Sequence, residues 1–121
     1  MTEKEGATWA RCSLRIASDN LSPAQINGII HHPRAELTRD FWVVDIEPDS
    51  SVHLQDQLQS TEQFMIEFID KLRYLSKRCD ISLRIGWEPR PQQDGIAISE
   101  ELIKVLAELG IYVMLSTFPG A

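Results

Sequence analysis

The chain has 121 residues, the length of one domain, and 43% of them are hydrophobic and 25% charged, as in an ordinary globular protein. Twelve basic against eighteen acidic side chains give a formal net charge of -6, which argues against nucleic acid as a partner because such binding relies on many Lys and Arg residues. No apolar run reaches the roughly 18 to 20 residues that cross a bilayer, so we expect no membrane partner. The start, Met1 to Gly6, lacks the features of a signal peptide. The sequence therefore predicts one cytoplasmic domain over residues 1–121, with residues 1–6 as a disordered N-terminus.

The first third of the chain predicts a strand, a short helix and a loop. Apolar and polar side chains alternate from Trp9 to Ala17, with the even-numbered residues facing a core, which is typical of a half-buried strand. Ser22-Pro23-Ala24-Gln25 is a capping box with proline at the first helical position, so a helix begins there. We expect this helix to end at about Ile30, and residues 31–40 to form a polar loop.

The middle of the chain predicts a second strand and a long helical segment. Residues 41–47 alternate again and are stopped by a proline. From residue 54 to residue 75, apolar side chains recur three and four positions apart, as in an amphipathic helix. Ser60-Thr61-Glu62-Gln63 could restart helix capping, so the pattern leaves open one bent helix or two helices with a break near Gln59.

The last third predicts two strands and one helix. Residues 80–88 show the clearest alternation in the chain, and the proline-rich residues 89–95 form a loop. A helix then begins after Ser99 and ends at Gly110. Residues 111–118 are the last strand.

An internal repeat bears on the arrangement of these elements. Ser-Leu-Arg-Ile occurs at residues 13–16 and again at residues 82–85, in the same phase of the strand alternation, and each copy precedes a Ser-capped helix and another strand. Two βαβ halves joined by the long helix would form an α+β fold, a two-layer sandwich with a four-stranded sheet and three or four helices on one face. This hypothesis gives a ferredoxin-like arrangement, in which the second face of the sheet is open.

Core and capping positions over nearly the whole chain also carry a resemblance. The positions are Leu14 to Ser18, Leu21-Ser22-Pro23, Ile26, Pro33, Trp42, Leu54, Leu58, Gly86-Trp87, Ile98-Ser99, Leu102, Leu106 and Leu109-Gly110. They resemble a bacterial family of domains of unknown function, the one numbered four-two-seven-nine. The resemblance implies a fold, and it brings no activity, cofactor or catalytic motif. Residues 34–40 are shorter than the corresponding loop of that family.

Histidine and cysteine residues offer no clear metal or nucleophile site. His31 and His32 are adjacent, whereas a metal site needs three or four converging donors, and no further donors follow at ligand spacing. Cys12 shares the core face of the first strand, so we expect an inert buried thiol. Cys79 follows the basic end of the helical segment, and the C-terminal end of a helix raises a thiol pKa. We therefore expect two reduced cysteines, no metal and no cofactor.

Paired carboxylates and glycines likewise have simple structural explanations. Asp45 and Glu47 share a strand face with arginines, which favours ion pairs between strands over acid and base catalysis. Glu100 and Glu101 belong in an acidic first helical turn. The glycines are scattered and form no phosphate-binding loop. The sequence therefore favours a non-enzymatic protein.

The open sheet face is the main candidate site. Arginine together with tryptophan, tyrosine and methionine is typical of protein interfaces, whereas an RNA-binding sheet would carry aromatic residues on its central strands. The interface candidates are Trp9, Arg11, Arg15, Asp45, Arg84, Glu88, Tyr112 and Met114, for a protein partner or a homodimer; a solvated face with salt bridges is the simpler alternative. A second hypothesis is a small-molecule or anion site, binding or hydrolytic, in loops 31–40 and 89–97. Its candidates are His31, His32, Arg34 and Arg90.

Overall fold

The computed structural model describes residues 9–88 and 96–117, and these form an α+β domain of five strands and four helices. In chain order the elements are β1 (Ala10–Ala17), α1 (Pro23–Ile29), β2 (Glu36–Leu37), β3 (Phe41–Asp45), α2 (Leu54–Glu67), α3 (Ile69–Ser76), β4 (Asp80–Trp87), α4 (Glu100–Leu109) and β5 (Tyr112–Thr117). The predictions for residues 1–6, for the loop 89–95 and for the end of the last strand at residue 118 lie outside the described residues. Within the described ranges, no helix is long and apolar enough to span a bilayer.

The ends of α1 and α4 follow from local chemistry that the sequence predicted. The Ser22 hydroxyl accepts from the Gln25 N–H at 3.2 Å, and the Gln25 side chain accepts from the Ser22 N–H at 2.8 Å, so the capping box is complete. Ser99 caps α4 by accepting from the Leu102 N–H at 3.1 Å. Gly110 ends α4 with φ 67°, a left-handed conformation that glycine adopts without steric cost.

The long helical segment is divided at Phe68, so it forms two helices. Gln59 lies inside α2, and the alternative of a break at that residue is wrong. Phe68 leaves the helical region with φ -104° and ψ 21°, yet its N–H still bonds to the Phe64 carbonyl at 3.0 Å, and its carbonyl accepts from the Leu72 N–H at 2.9 Å. Because the hydrogen-bond ladder continues through Phe68, α2 and α3 are the two arms of a bent segment.

The five strands form one mixed sheet in the order β2-β3-β1-β4-β5. The central strand β1 is antiparallel to both β3 and β4, whereas β4 and β5 are parallel. The bent segment α2–α3 connects β3 to β4 across β1, which is a split βαβ unit, and α4 connects the neighbouring strands β4 and β5. The first of the two predicted βαβ halves is therefore absent, because β1 and β3 run in opposite directions.

The extra strand β2 explains that difference from the prediction. β2 lies in the predicted polar loop and pairs antiparallel with β3, in the register Glu36 to Val43 and Leu37 to Trp42. The Thr38 N–H donates to the Phe41 carbonyl at 2.9 Å and closes the turn of this hairpin. After α1, β2 thus carries the chain back to the end where β1 stopped, and β3 must start from there. A two-residue strand is too short to show an alternating pattern in sequence.

One face of the sheet and all four helices contribute to a single apolar core. Cys12, Leu14 and Ile16 of β1 are fully buried, as the alternation predicted, and the core also contains buried residues of β3, β4 and every helix. Burial of each Leu or Ile side chain contributes about 1.5–3 kcal/mol. One face of β1, β3 and β4 thus packs in the core, and the other face of these strands lies on the opposite side of the sheet.

A polar side chain, Gln57 of α2, is buried in this core. Its Oε1 accepts from the Cys12 N–H at 3.0 Å, and its Nε2 donates to the carbonyl oxygens of Ala10 and Val52, both at 2.9 Å. β3 ends at Asp45 and does not reach the Cys12 N–H and the Ala10 carbonyl on β1. The Gln57 amide bonds to these two groups instead and so joins α2 to the sheet.

Candidate functional site

The open face, which is the side of the sheet opposite the core, is organised in three rows that cross the strands. The Ser13 row contains Asp45, Ser13, Arg84 and Met114, each directly opposite the next on the neighbouring strand. The other two are the Arg15 row, with Glu36, Val43, Arg15, Ser82 and Tyr112, and the Arg11 row, with Arg11, Gly86 and Ser116. Directly opposed residues share a face, so the rows bring six of the interface candidates onto one surface.

Asp45 at one end of the Ser13 row already has its partners within the chain. The Ser13 hydroxyl donates to Asp45 Oδ1 at 2.6 Å, and Arg11 Nε lies 3.8 Å from Asp45 Oδ2. The Arg11 guanidinium also lies 5.7 Å from the centre of the Trp9 ring. For Arg11 and Asp45, the expected ion pair between strands is therefore present.

Arg15 and Arg84 differ from Arg11, because neither has a carboxylate within 4.0 Å in the part of the chain that the structure describes. The Arg15 guanidinium lies 4.0 Å above the Phe41 ring, and Arg84 Nη1 donates to the Met114 sulfur at 3.1 Å, a weak acceptor. The Nε atoms of both arginines are enclosed and have no hydrogen-bond partner. The centre of the open face thus holds two cations with unsatisfied donors.

The two guanidinium groups also influence each other. Arg15 is opposite Ser82 on β4, so Arg84 is its diagonal neighbour on the same face, within reach of a long side chain. Burial lowers the pKa of Arg15, the positive charge of Arg84 lowers it further, and Tyr112 partly opposes both effects. Ser82 lies between Arg15 and Tyr112 in its row and is only 3% exposed.

A shallow groove of about 190 Å³ lies beside Arg84 on the open face. Most of its lining surface is apolar, and Gly86 leaves space at the position where another residue would place a side chain. The lining residues are Trp9, Arg11, Ser13, Arg84, Ile85, Gly86, Met114 and Ser116. At the neighbouring strand β5, Tyr112 is 53% exposed and Met114 is 38% exposed. The centre of the face therefore combines positive charge with accessible apolar surface.

The residues of the second hypothesis lie elsewhere and are engaged in local structure. The His32 ring packs on the rings of Phe64 and Phe68, at 5.7 and 6.2 Å between centres, and its Nδ1 accepts from the Arg34 N–H at 3.1 Å. Burial lowers the pKa of His32, helped by the charge of Arg34. The Arg34 side chain donates to the Ile46 carbonyl at 3.2 Å, and His31 is exposed. His31, His32 and Arg34 are neighbours after α1, and Arg90 lies outside the described residues.

The remaining candidate groups have the structural roles that the sequence favours. Burial raises the pKa of the Cys12 thiol to about 11, although a hydrogen bond with Thr61 lowers it somewhat, and burial also raises the pKa of Cys79. Glu100 lies in the first turn of α4 and pairs with Lys104 at 3.3 Å. Over residues 9–88 and 96–117, no group of three or more His, Cys, Asp or Glu side chains is placed to hold a metal ion.

Ser82 of the Arg15 row is not among the interface candidates predicted from the sequence. The signal that could have found it is the Ser-Leu-Arg-Ile repeat: on antiparallel neighbours, each serine faces the arginine of the other copy.

Comparison with protein-family models, with curated proteins and with solved structures gave no match. The resemblance to a bacterial domain family therefore stays a prediction.

Proposed function

We propose that the protein is a non-enzymatic interaction domain, a two-layer α+β sandwich that binds a partner protein on its open sheet face. The pair Arg15 and Arg84 supports the proposal most directly. Both lie at the centre of an accessible face, both keep an unsatisfied Nε donor, and neither has a carboxylate partner among the described residues. Both arginines are half-buried, so part of each side chain stays accessible on this face. A partner that presents an anionic group could bind these accessible parts and neutralise both charges.

The charge distribution favours a different protein over a second copy of this chain. Asp45, which shares the Ser13 row with Arg84, already accepts from Ser13 and pairs with Arg11. A second copy centred on the same face would place Arg15 and Arg84 against the same two cations, and like charges across an interface are unfavourable. An anionic group surrounded by apolar side chains would fit both the arginines and the neighbouring Tyr112 and Met114.

The two cysteines, Cys12 and Cys79, are unpaired, as in proteins of a reducing compartment. The proposal accordingly places the interaction in the cytoplasm.

The experiment is photo-crosslinking in the host cell with a photoreactive phenylalanine analogue in place of Tyr112. Tyr74, which is 47% exposed on α3, is the matched control position. We expect a heterologous adduct from position 112 and none from position 74. The adduct should disappear in the Arg84→Glu variant, and the crosslinked partner segment should contain an acidic group.

Three results would contradict the proposal. These are no adduct from position 112, equal adducts from both positions, or an adduct that persists in the Arg84→Glu variant. An adduct of twice the chain mass would identify a second copy as the occupant and would overturn the choice of a different protein. Thermal unfolding of each variant, followed by circular dichroism, checks that the fold is retained.

A further inference from the structure

We infer that Arg15, Ser82, Arg84 and Tyr112 form a binding site for a phosphate monoester. The inference rests on the proposed function and specifies it: the anionic group that the partner presents to the open face is a phosphoryl group. The site is complete within one protein chain, because all four residues lie on the neighbouring strands β1, β4 and β5.

The register places four donor-bearing side chains, two with guanidinium groups and two with hydroxyl groups, next to one another on the open face. Ser82 is flanked by Arg15 and Tyr112 in its row, and Arg84 lies two residues further along β4, on the same face. The hydroxyl of Tyr112, which is 53% exposed, can donate in addition to the two guanidinium groups, and Ser82, which is 3% exposed, lies at the base of the site between Arg15 and Tyr112. Neither guanidinium group has a carboxylate partner among the described residues, and both arginines are only half-buried, so the accessible part of each side chain retains donors for a ligand.

Charge and donor number favour a phosphoryl group over a carboxylate. A phosphate monoester carries a charge of about -1.5 to -2 at pH 7 and has three strongly accepting oxygens. Two guanidinium groups supply two positive charges, so a carboxylate with one negative charge would leave one of them unmatched. The planar guanidinium fork is also well suited to phosphate oxygens.

The neighbouring groove suggests what the phosphoryl group is attached to. The groove has a volume of about 190 Å³, it is lined in part by Arg84, and its surface is mostly apolar. A cavity of about 150 Å³ is sufficient for benzene in another protein, so one aromatic ring would fit. The Trp9 and Met114 side chains provide walls that suit such a ring. We therefore expect an aryl phosphate to bind better than inorganic phosphate.

The first test is a titration of the purified protein with phenyl phosphate, followed by amide chemical shifts in two-dimensional NMR. Benzoate, which has the same ring and a carboxylate, is the matched ligand, and inorganic phosphate tests the contribution of the ring. We expect phenyl phosphate to bind at least about tenfold more tightly than either, with shifts centred on β1, β4 and β5. Binding should strengthen between pH 5.5 and 7.5, as the second phosphate proton leaves near pH 6. Benzoate binding should show no such increase.

Variants of single residues test the site directly. Arg15→Gln and Arg84→Gln should each weaken phenyl phosphate binding at least about tenfold, and Ser82→Ala and Tyr112→Phe should weaken it less. Arg78→Gln is the matched control, because Arg78 stacks on Tyr74 at 3.8 Å and lies outside the cluster. Equal binding of benzoate and phenyl phosphate would overturn the inference, as would equal binding by the Arg84→Gln and Arg78→Gln variants.

Further comparisons distinguish a phosphorylated protein from a free phosphate ester, and a failure of the phosphate site from a failure of the protein interaction. A phosphotyrosine peptide and free phenyl phosphate, compared with the unphosphorylated peptide, distinguish a modified protein from a free ester. If the adduct at position 112 forms equally well with a phosphatase-treated partner, the phosphate inference is wrong and the interaction domain stands. If phenyl phosphate binds but no partner adduct forms, the site takes a free ester and the proposed protein interaction is wrong.

Discussion

The buried amide of Gln57 provides the sharpest test of how α2 is attached to the sheet. This side chain is fully buried and makes three hydrogen bonds to the backbone, with the Cys12 N–H and with the carbonyls of Ala10 and Val52. Methionine has nearly the same volume but offers no donor and only a weak acceptor. In Gln57→Met, the core therefore stays filled while three backbone groups lose their partner.

The expected cost follows from the number of groups left unsatisfied. Each buried polar group without a partner costs about 1–3 kcal/mol, so the two fully buried groups, the Cys12 N–H and the Ala10 carbonyl, should together lower the free energy of unfolding by about 2–6 kcal/mol, and the partly buried Val52 carbonyl should add less. The Gln57→Ala variant should lose somewhat more, because truncation also leaves a cavity. A domain of this length has a total stability of roughly 6–18 kcal/mol, so the change is large enough to measure and need not prevent folding.

Urea unfolding followed by far-ultraviolet circular dichroism measures the difference. The matched control is Gln59→Met, two residues further along α2, where the side chain is exposed and the change should be within about 0.5 kcal/mol of zero. If Gln57→Met is as stable as Gln59→Met, the three backbone groups do not need the amide and the reasoning is refuted. A Gln57→Glu variant should be most stable at acidic pH, since only the protonated carboxyl can donate to a carbonyl, and its stability should fall as the pH rises above about 4.3.

Three further predictions concern the backbone, the thiols and pH. Gly28→Ala in α1 should stabilise the protein by about 0.5–1 kcal/mol in urea unfolding, because an added Cβ meets nothing within 4 Å, whereas Gly110→Ala should destabilise it by about 1 kcal/mol because φ is +67°. In native protein at pH 8, iodoacetamide should modify the half-buried Cys79 roughly tenfold faster than Cys12, whose pKa is about 11, and equal rates in mass spectrometry would contradict this. Because burial lowers the pKa of His32 in the folded state, its contribution to stability is complete above the unfolded pKa of about 6.5 and is lost as the pH falls below it. His32→Gln should remove that part of the pH dependence of unfolding, and an unchanged curve would count against it.

The sequence predicted those parts of the fold that depend on short-range patterns. The alternation over Trp9 to Ala17 identified β1 and its buried face, and the capping box at Ser22 identified the start of α1. Ser99 and Gly110 likewise marked both ends of α4. Each of these signals is carried by neighbouring residues, so no tertiary information was needed.

Features that depend on distant residues could not be read in the same way. The division of the helical segment at Phe68 coincides with the packing of its ring against His32, which follows α1 and is distant in sequence, as well as against the nearby Phe64. Gln57 is a polar residue on the apolar side of the predicted helix, which indicates a buried hydrogen-bonding role. Its partners on β1 could not be identified, because they are 45 and 47 residues away in the sequence. The direction of β3 relative to β1 was wrong for the same reason, since it depends on the two residues of β2.

The Ser-Leu-Arg-Ile repeat led to the wrong topology and yet lies at the candidate site. In the observed register, Ser13 is opposite Arg84 and Arg15 is opposite Ser82. A shift of two residues would set Arg84 directly opposite Arg15 or Arg11, and like charges in direct opposition destabilise a strand pair. The observed register instead places each arginine opposite a serine hydroxyl and leaves the two guanidinium groups on a diagonal. On antiparallel strands, the repeat thus brings two arginines to neighbouring positions on one face, where a single anion can bind both. This placement gives the repeat a structural role that does not require a duplication.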